Sequence, residues 1–504
     1  MLSCNFSITR FMKNIFYSCI LLVSTNLTII GQSLHIYSGA NLGEEWKDIN
    51  FIQQDKNYLF AFKSENKKSY LLKYDKDSLL ERSIIRIPLP DRETLDYSIE
   101  NLFISTERYL VFYSFFSKAE SKQKLEMVAF DTLGRQIGEN RLIDFAEAEK
   151  ERKAGEFMVY NDWRNDRFIS YHYAHNRKNS YVDFDHFDYS GNKTGSKQYE
   201  LNRIGSVKKS FIDDKNNIYQ VIEGKAGPLS RSYSVRIYGL QKDSAVNISL
   251  NKPLTSLITL SDFFKTIETS DSTLIILTPY KTNKFSNFSK GIYLVQINTR
   301  TGGLLNEKII PFKEGESEKE DARSNDLDLS SCIITKIVFL KSGRLMIIFE
   351  SRLRTTNSFY GATISETYDI NDIITVEMTP EFAVDDIHKI GKRQRTNSSN
   401  AIFTGFAVLK KENNLYYIYN ELEANLKRNP DNFERLDSRE LDDAVIIAAS
   451  IKDDKVKREA IVVKKFDKET DVVMPGTAFE DNYNNAVYVF RKIKLSVYLS
   501  KVYL

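Results

Sequence analysis

The stretch that decides the fold is Met127–Ile143, MVAFDTLGRQIGENRLI. Two β-rich runs flank a turn that Asp131 opens. An Asx side chain there can accept from backbone N–H groups further along the turn, which gives the turn a local cause. Comparable turns follow β-rich runs along the chain, at Asp75 in YDKDSLL, Asp188 in FDYSGN, Leu240 in YGLQKDS, Asn298 in INTRTGG, Asp369 in YDIND and Asp467 in FDKET. Each is preceded by a pair of strand-like runs with its own short polar turn. Examples are WKDINFIQQDKNYLFAF from Trp46, ENLFISTERYLVFYSFF from Glu100 and TKIVFLKSGRLMIIFES from Thr335. Turn residues between β-rich runs are the signature of hairpins.

The repeating unit is therefore strand, turn, strand, tip, strand, Asx-turn, strand. It recurs at roughly 50 to 70 residues, at or above the propeller periods of about 40–50. A lone four-stranded sheet cannot bury both faces, and radial stacking of such sheets solves this. The pattern predicts an all-β chain, a single β-propeller of about seven four-stranded antiparallel blades. Asp131, as a turn-former between outer strands, is then architectural. The chain resembles the uncharacterised β-propeller-like secreted proteins of Gram-negative bacteria. That resemblance is one of architecture and carries over no residue roles.

Two segments depart from the repeat. Leu422–Ala444, LEANLKRNPDNFERLDSRELDDA, places Leu422 and Leu426 four apart before Pro430 and predicts a short helical insertion in the last unit, either a surface excursion or a lid. In the C-terminal tail Ile493, Leu495, Val497 and Leu499 alternate with polar residues, as in a half-buried strand. It could close the ring beside an N-terminal strand such as Ser33–Gly39, with an eighth, distorted blade as the alternative count.

Of 504 residues, 42% are hydrophobic and 12% aromatic, which suffices for a large core. The net charge of +3 gives no bulk reason to expect nucleic acid. Arg10 and Lys13 precede an uncharged apolar run that ends near Gly31, and the first acidic residue is Glu44. This is the layout of a signal peptide. The expected division is a cleaved leader at 1–31 and a propeller at 32–504, secreted or periplasmic, monomeric, with no integral membrane segment after cleavage. Cys4 and Cys19 leave with the leader, so Cys332 has no partner for an internal disulfide.

Chemistry-bearing motifs are sparse. His172, His175 and His186 lie near Asp183, Asp185 and Asp188. Strand parity separates His172 from His175, and a hairpin register could set His172 opposite Asp183 or Asp185. The plainer reading is a polar strand, and no metal or other cofactor is expected. The acidic run from Glu314 to Asp328 reads as a solvated loop. The tips between second and third strands repeatedly combine Lys or Arg with Ser and Asn. A propeller gathers such tips at one end, bringing Lys67, Lys68, Lys118, Lys122, Arg177, Lys178, Arg231, Lys284, Arg352 and Arg354 to a common rim. The expected function is a binding module, without catalytic residues, whose basic rim takes an anionic glycan or a protein partner. The alternative is a carbohydrate-active enzyme with paired carboxylates in the central funnel.

Overall fold

The computed structural model describes residues 34–504 except 43–46, 48, 66–67, 90–96, 106, 148–155, 163–165, 176–179, 202–205, 214–215, 226–230, 240–244, 251–258, 261–264, 269–271, 282–290, 312–331, 360–361, 440, 453–454, 462–470 and 482. The leader at 1–31, the acidic run and the turns at Leu240 and Asp467 lie outside the described residues. Among the described residues no helix is long and apolar enough to cross a membrane.

The β-rich runs form eight sheets among the described residues, one more than the sequence predicts. Most are simple antiparallel meanders. Blade 1 runs Ile49–Gln54, Tyr58–Glu65, Lys68–Asp75, Glu81–Ile87. Blades 2, 3 and 4 repeat this order over 97–147, 156–201 and 206–250. In blade 5 the inner position is shared by Thr259–Leu260 and Lys265–Glu268. Blade 6 begins at Cys332 and blade 7 at Ala407.

Blade 8 explains the miscount. Its inner strand, Asp471–Asp481, contains Pro475 and Gly476, and pairing with Ala486–Ile493 breaks between Met474 and Phe479. That irregularity hides a strand from a reading based on alternation. Its third strand is Ser496–Tyr503, and its outer strand comes from the other end of the chain. His35–Asn41 pairs antiparallel with it, His35 opposite Tyr503 and Ile36 opposite Val502. The tail thus closes the ring beside an N-terminal strand, as its alternation suggested.

Hydrophobic clusters lie on every seam of the ring. Phe60 and Val111 share one between blades 1 and 2, and Phe112 and Phe168 one between blades 2 and 3. The series continues through blades 3–4, 4–5, 5–6, 6–7 and 7–8. It returns to blade 1 where Leu59 and Tyr74 meet Tyr488 and Leu499. Each sheet therefore buries both faces against its neighbours, which is what a ring offers and a lone sheet lacks.

The predicted helical insertion is corrected. The described residues of 422–444 contain no α-helix. They form two 3₁₀ turns, Glu423–Lys427 and Pro430–Asn432, and a two-residue strand, Leu436–Asp437. Pro430 stops the first turn from extending into a helix. The segment also belongs to the seventh unit rather than the last.

Closure is reinforced by polar contacts. Asp471 takes a bidentate pair from Arg491, with Nε and an Nη each 2.6 Å from a carboxylate oxygen. The other Arg491 nitrogen donates to Ser38 Oγ at 3.0 Å, and Ser38 meets Ser500 Oγ at 2.7 Å. One chain of contacts therefore spans all four strands of blade 8. Between blades 8 and 1, buried Lys76 Nζ lies 2.9 Å from buried Asp481 Oδ1. The N-terminal strand also touches blade 1, with Ala40 N donating to Leu79 O at 3.1 Å. A Cβ on Gly39 would come within 2.2 Å of Leu79 Cβ, so only glycine fits there.

Two outcomes follow for stability. Lys76→Met strands a buried carboxylate and is expected to cost about 3–5 kcal/mol, read as a lower denaturant midpoint. Gly39→Ala is expected to cost about 1–3 kcal/mol by overpacking, read by thermal melting.

Candidate functional site

The two ends of the ring differ in chemistry. At one end lie the first and last turns of each blade, and side chains hold many of them. Asp131 Oδ1 accepts from the N–H groups of Leu133 and Arg135 at 3.0 and 2.8 Å. Asp188 does the same for Ser190 and Asn192, Asp75 for Asp77 and Ser78, and Asn298 for Arg300 and Thr301. Asp55 and Asp213 fix the first turns of blades 1 and 4. The backbone hydrogen bonds lower the Asp131 carboxyl below its ordinary range. These aspartates are turn-formers whose acceptor oxygens are in use. Asp369 is the exception to the sequence reading. It lies inside the strand Ala362–Met378 and pairs with Arg395, Nε to Oδ1 2.9 Å. Blade 6 makes its last turn at Thr379–Ala383 instead.

The tips and the links between blades lie at the opposite end, and the elaborations of the fold gather there. The middle strands of blade 6, Leu345–Phe359 and Ala362–Met378, extend well beyond their neighbours and form a projecting arm. Gln394–Asn397 pairs with this arm, and Leu436–Asp437 pairs parallel to Gln394–Asn397. The junction is pinned from inside. Lys392 Nζ lies 2.6 Å from Glu350 Oε1, both buried, and burial holds Lys392 below the ordinary lysine range. Gln394 donates to Asn420 O at 2.7 Å, and Asn420 donates to Val473 O at 2.7 Å. Asn425 bridges Glu421 and Glu434 O, tying down residues 423–434. A segment held at so many points is a fixed cap.

The predicted rim residues differ in their surroundings. Lys68 opens the third strand of blade 1 and is exposed, as is Lys118 on the tip of blade 2. Lys122 is half-buried, its ammonium 4.3 Å from the centroid of the Phe145 ring. Arg352 and Arg354 are exposed on the blade 6 arm, yet each has a carboxylate partner. Arg352 Nε is 2.8 Å from Glu350, and Arg354 pairs with Glu366. Arg231 begins the third strand of blade 4. Lys67, Arg177, Lys178 and Lys284 lie outside the described residues. Among the described residues, the rim lysines Lys68, Lys118 and Lys122 of blades 1 and 2 stand outside the ion pairs that occupy Arg352 and Arg354.

The histidine and aspartate motif resolves into two faces of blade 3. His172 is opposite Asp183, one of the two registers considered from the sequence. His172 is buried and stacks on Phe157 with centroids 4.6 Å apart. His186 points to the other face, against Phe184, and burial lowers its pKa. Only the backbone of His175 is described, at the end of its strand. Among the described residues no group of three His, Cys, Asp or Glu side chains could hold a metal ion.

Asp183 and Asp185 nonetheless meet a residue that the motif did not include. Asp144, on the outer strand of blade 2, joins them in lining a cleft of about 380 Å³ together with Tyr181, Lys193 and Ser196. Burial, then Asp185, then Asp183 push the Asp144 carboxyl up to about 7. The available signal was a carboxylate between Ile143 and Phe145 on an otherwise readable strand.

The enzyme alternative asks for paired carboxylates near the axis. A cavity of about 540 Å³ lies between the inner strands of blades 8 and 1, and Glu480 is the one carboxylate among its described lining residues. That carboxylate is in contact with Lys336 of blade 6. The described lining residues of this cavity include no pair of the required kind.

No protein-family profile matches the chain. No curated protein matches it either. Solved structures with a similar course include Sqt1 of Saccharomyces cerevisiae, at TM-score 0.42 and 10% identity over 93% of this chain and 99% of that one. The β-propeller domain of the Trilobed protease from Pyrococcus furiosus aligns at 0.34 and 8% identity, over 86% and 97%. A prolyl endopeptidase aligns at 0.40 and 10% identity over 90% of this chain, which spans 56% of the endopeptidase. No residue role passes from these proteins to this chain, which is an all-β propeller.

Proposed function

We propose that this protein is a secreted or periplasmic binding module that engages an anionic glycan or an acidic protein surface through the tip end of its propeller. The observation that carries the reading is the unequal elaboration of the two ends. Short turns closed by Asp and Asn leave little backbone or side-chain capacity for a ligand. The arm of blade 6 and the cap at 423–434 both belong to the other end. Binding residues concentrate on such variable segments carried by a rigid scaffold. Lys68, Lys118 and Lys122 contribute positive charge on neighbouring blades 1 and 2. Arg352 and Arg354 contribute less charge, since the carboxylates of Glu350 and Glu366 already partly neutralise them. The chain's N-terminal sequence supports export, with residues 1–31 as the leader.

The test is a glycan array and a heparin column at low and high salt. The wild-type protein is expected to bind sulfated polysaccharide at low salt and to release it as salt rises, because exposed charges are screened beyond about 8–10 Å at physiological ionic strength. Charge reversal of Lys68, Lys118 and Lys122 to Glu should weaken binding by about tenfold or more, given a few charge contacts of about 0.5–1 kcal/mol each. Retention that ignores salt, or a triple variant that binds like the parent, would rule out the basic tip end.

A further inference from the structure

We propose that the seam between blades 2 and 3 is a pH-sensitive latch, closed while Asp144 carries a proton and loosened when Asp144 ionises against Asp183 and Asp185.

The seam has two unlike halves. Toward the axis it is a packed aromatic cluster. Phe112 and Phe168 lie 4.8 Å apart, Phe103, Phe157 and Phe187 join them, and the cluster reaches the outer strand of blade 2 only through Ile143 and Ala146. Asn101 adds a cross-blade hydrogen bond to Val159 O at 2.9 Å. Toward the rim the seam opens into the cleft that Asp144 lines with the blade 3 carboxylates. The short polar contacts there each stay within one blade: in blade 2, Phe145 N donates to Asp144 Oδ1 at 2.7 Å, which only partly offsets the upward push on that carboxyl. Ser196 donates to Asp185 at 2.6 Å, Lys193 lies 2.6 Å from Asp185, and Gln198 donates to Asp183 at 2.8 Å. Among the described residues, the polar contacts that cross there are long. Ser170 Oγ is 3.4 Å from Asp144 Oδ2, and an Arg141 nitrogen is 3.4 Å from Asn192 Oδ1. Hydrogen bonds at that length are weak. Other seams are bridged more firmly, as by Lys76–Asp481 or by Thr375 and Tyr417 at 2.7 Å.

The charges around Asp144 decide the sign. Asp183, Asp185 and Tyr181 face it from the third strand of blade 3, and His172 and Ser170 from the second. Lys193 faces it from the outer strand, and Glu147 lies on its own strand. Lys193 already serves Asp185, so it lowers the Asp144 pKa less than burial and the two aspartates raise it. A carboxyl held at about 7 when the seam is closed returns to about 4 once solvated. The open form therefore binds fewer protons between those values. By linkage, opening becomes more favourable as pH rises from about 4 to 7, by at most about tenfold per unit, and levels off above 7. The phenylalanine rings of the inner half do not themselves titrate, and they keep the ring intact while the rim half moves.

The experiment is hydrogen exchange by mass spectrometry on the full chain at pH 5 and pH 7.5, corrected for intrinsic exchange rates. Peptides covering 141–147 and 180–188 report the latch, and those covering 35–41 and 496–503 report the ring closure. The expected result is an opening equilibrium on the order of 10- to 100-fold larger at pH 7.5 in the latch peptides, with a much smaller change at the closure. Asp144→Asn should remove that difference and should raise the melting temperature at pH 7.5 but not at pH 4. The proposal falls if wild type and Asp144→Asn show the same pH response. It also falls if the closure peptides loosen as much as the latch peptides. The wild-type contrast between the two sets of peptides stands as a test even if the variant folds poorly.

Discussion

The ring depends on one strand crossing from the beginning of the chain to its end. Ser496–Tyr503 would otherwise be a bare edge, and an unpaired edge invites fraying and association with other chains. His35–Asn41 supplies the missing ladder, and Arg491 fastens it by holding Asp471 and Ser38 at once. Chain entropy makes this contact costly, since it joins residues more than 450 positions apart, although closure entropy grows only slowly with loop length. The tight fit at Gly39 and the buried Lys76–Asp481 pair show where the structure compensates. Each seam elsewhere is a local contact between successive blades, so the closure alone converts a row of sheets into a ring.

Once the ring is closed, the meander assigns every loop to one of two ends, and the two ends take on different roles. The first and last turns must be short to keep adjacent strands in register. Asp and Asn satisfy their own turns, which removes them from any other chemistry. The tips are free of this demand. Growth of the fold has gone there, as the arm of blade 6 and the cap beyond Leu422. Even so, growth has been accompanied by internal pinning. A fully buried Lys392–Glu350 pair is weak evidence for net stability but strongly disfavours breaking the contact once formed. At blades 6 and 7 the tip end is therefore a shaped, fixed surface.

Much of this architecture was legible in the sequence, and the parts that were not have physical causes. Asx-turns at Asp75, Asp131, Asp188 and Asn298 are written in local residues and were read correctly. The same logic misplaced Asp369, because the arm carries a strand straight through a sequence that looks like a turn. The eighth blade was only the alternative count because Pro475 and Gly476 interrupt its inner strand. Inner strands are harder to read in general here. Those of blades 1, 2, 4 and 6 shift register near Ile52, Glu100, Lys208 and Thr335, and such a bulge breaks the two-residue period on which recognition of a strand relies. The 422–444 segment shows the opposite error, where a spacing of four suggested a helix that Pro430 and the pull of Asn425 toward Glu421 and Glu434 prevent.

The cleft between blades 2 and 3 was half legible for a related reason. Asp183 and Asp185 alternate on one strand, so their common face follows from parity. Asp144 belongs to another blade, and no local rule pairs the two. Such a meeting arises only from ring packing, which sets the outer strand of one sheet against the face of the next. The closed ring also explains how the acidic contact is tolerated. Eight seams share the burden of holding the circle, and the aromatic half of this seam persists when its rim half is repelled. A charge conflict that would split an open stack of sheets is confined here to a local opening, because the strands on either side remain tied through the rest of the ring.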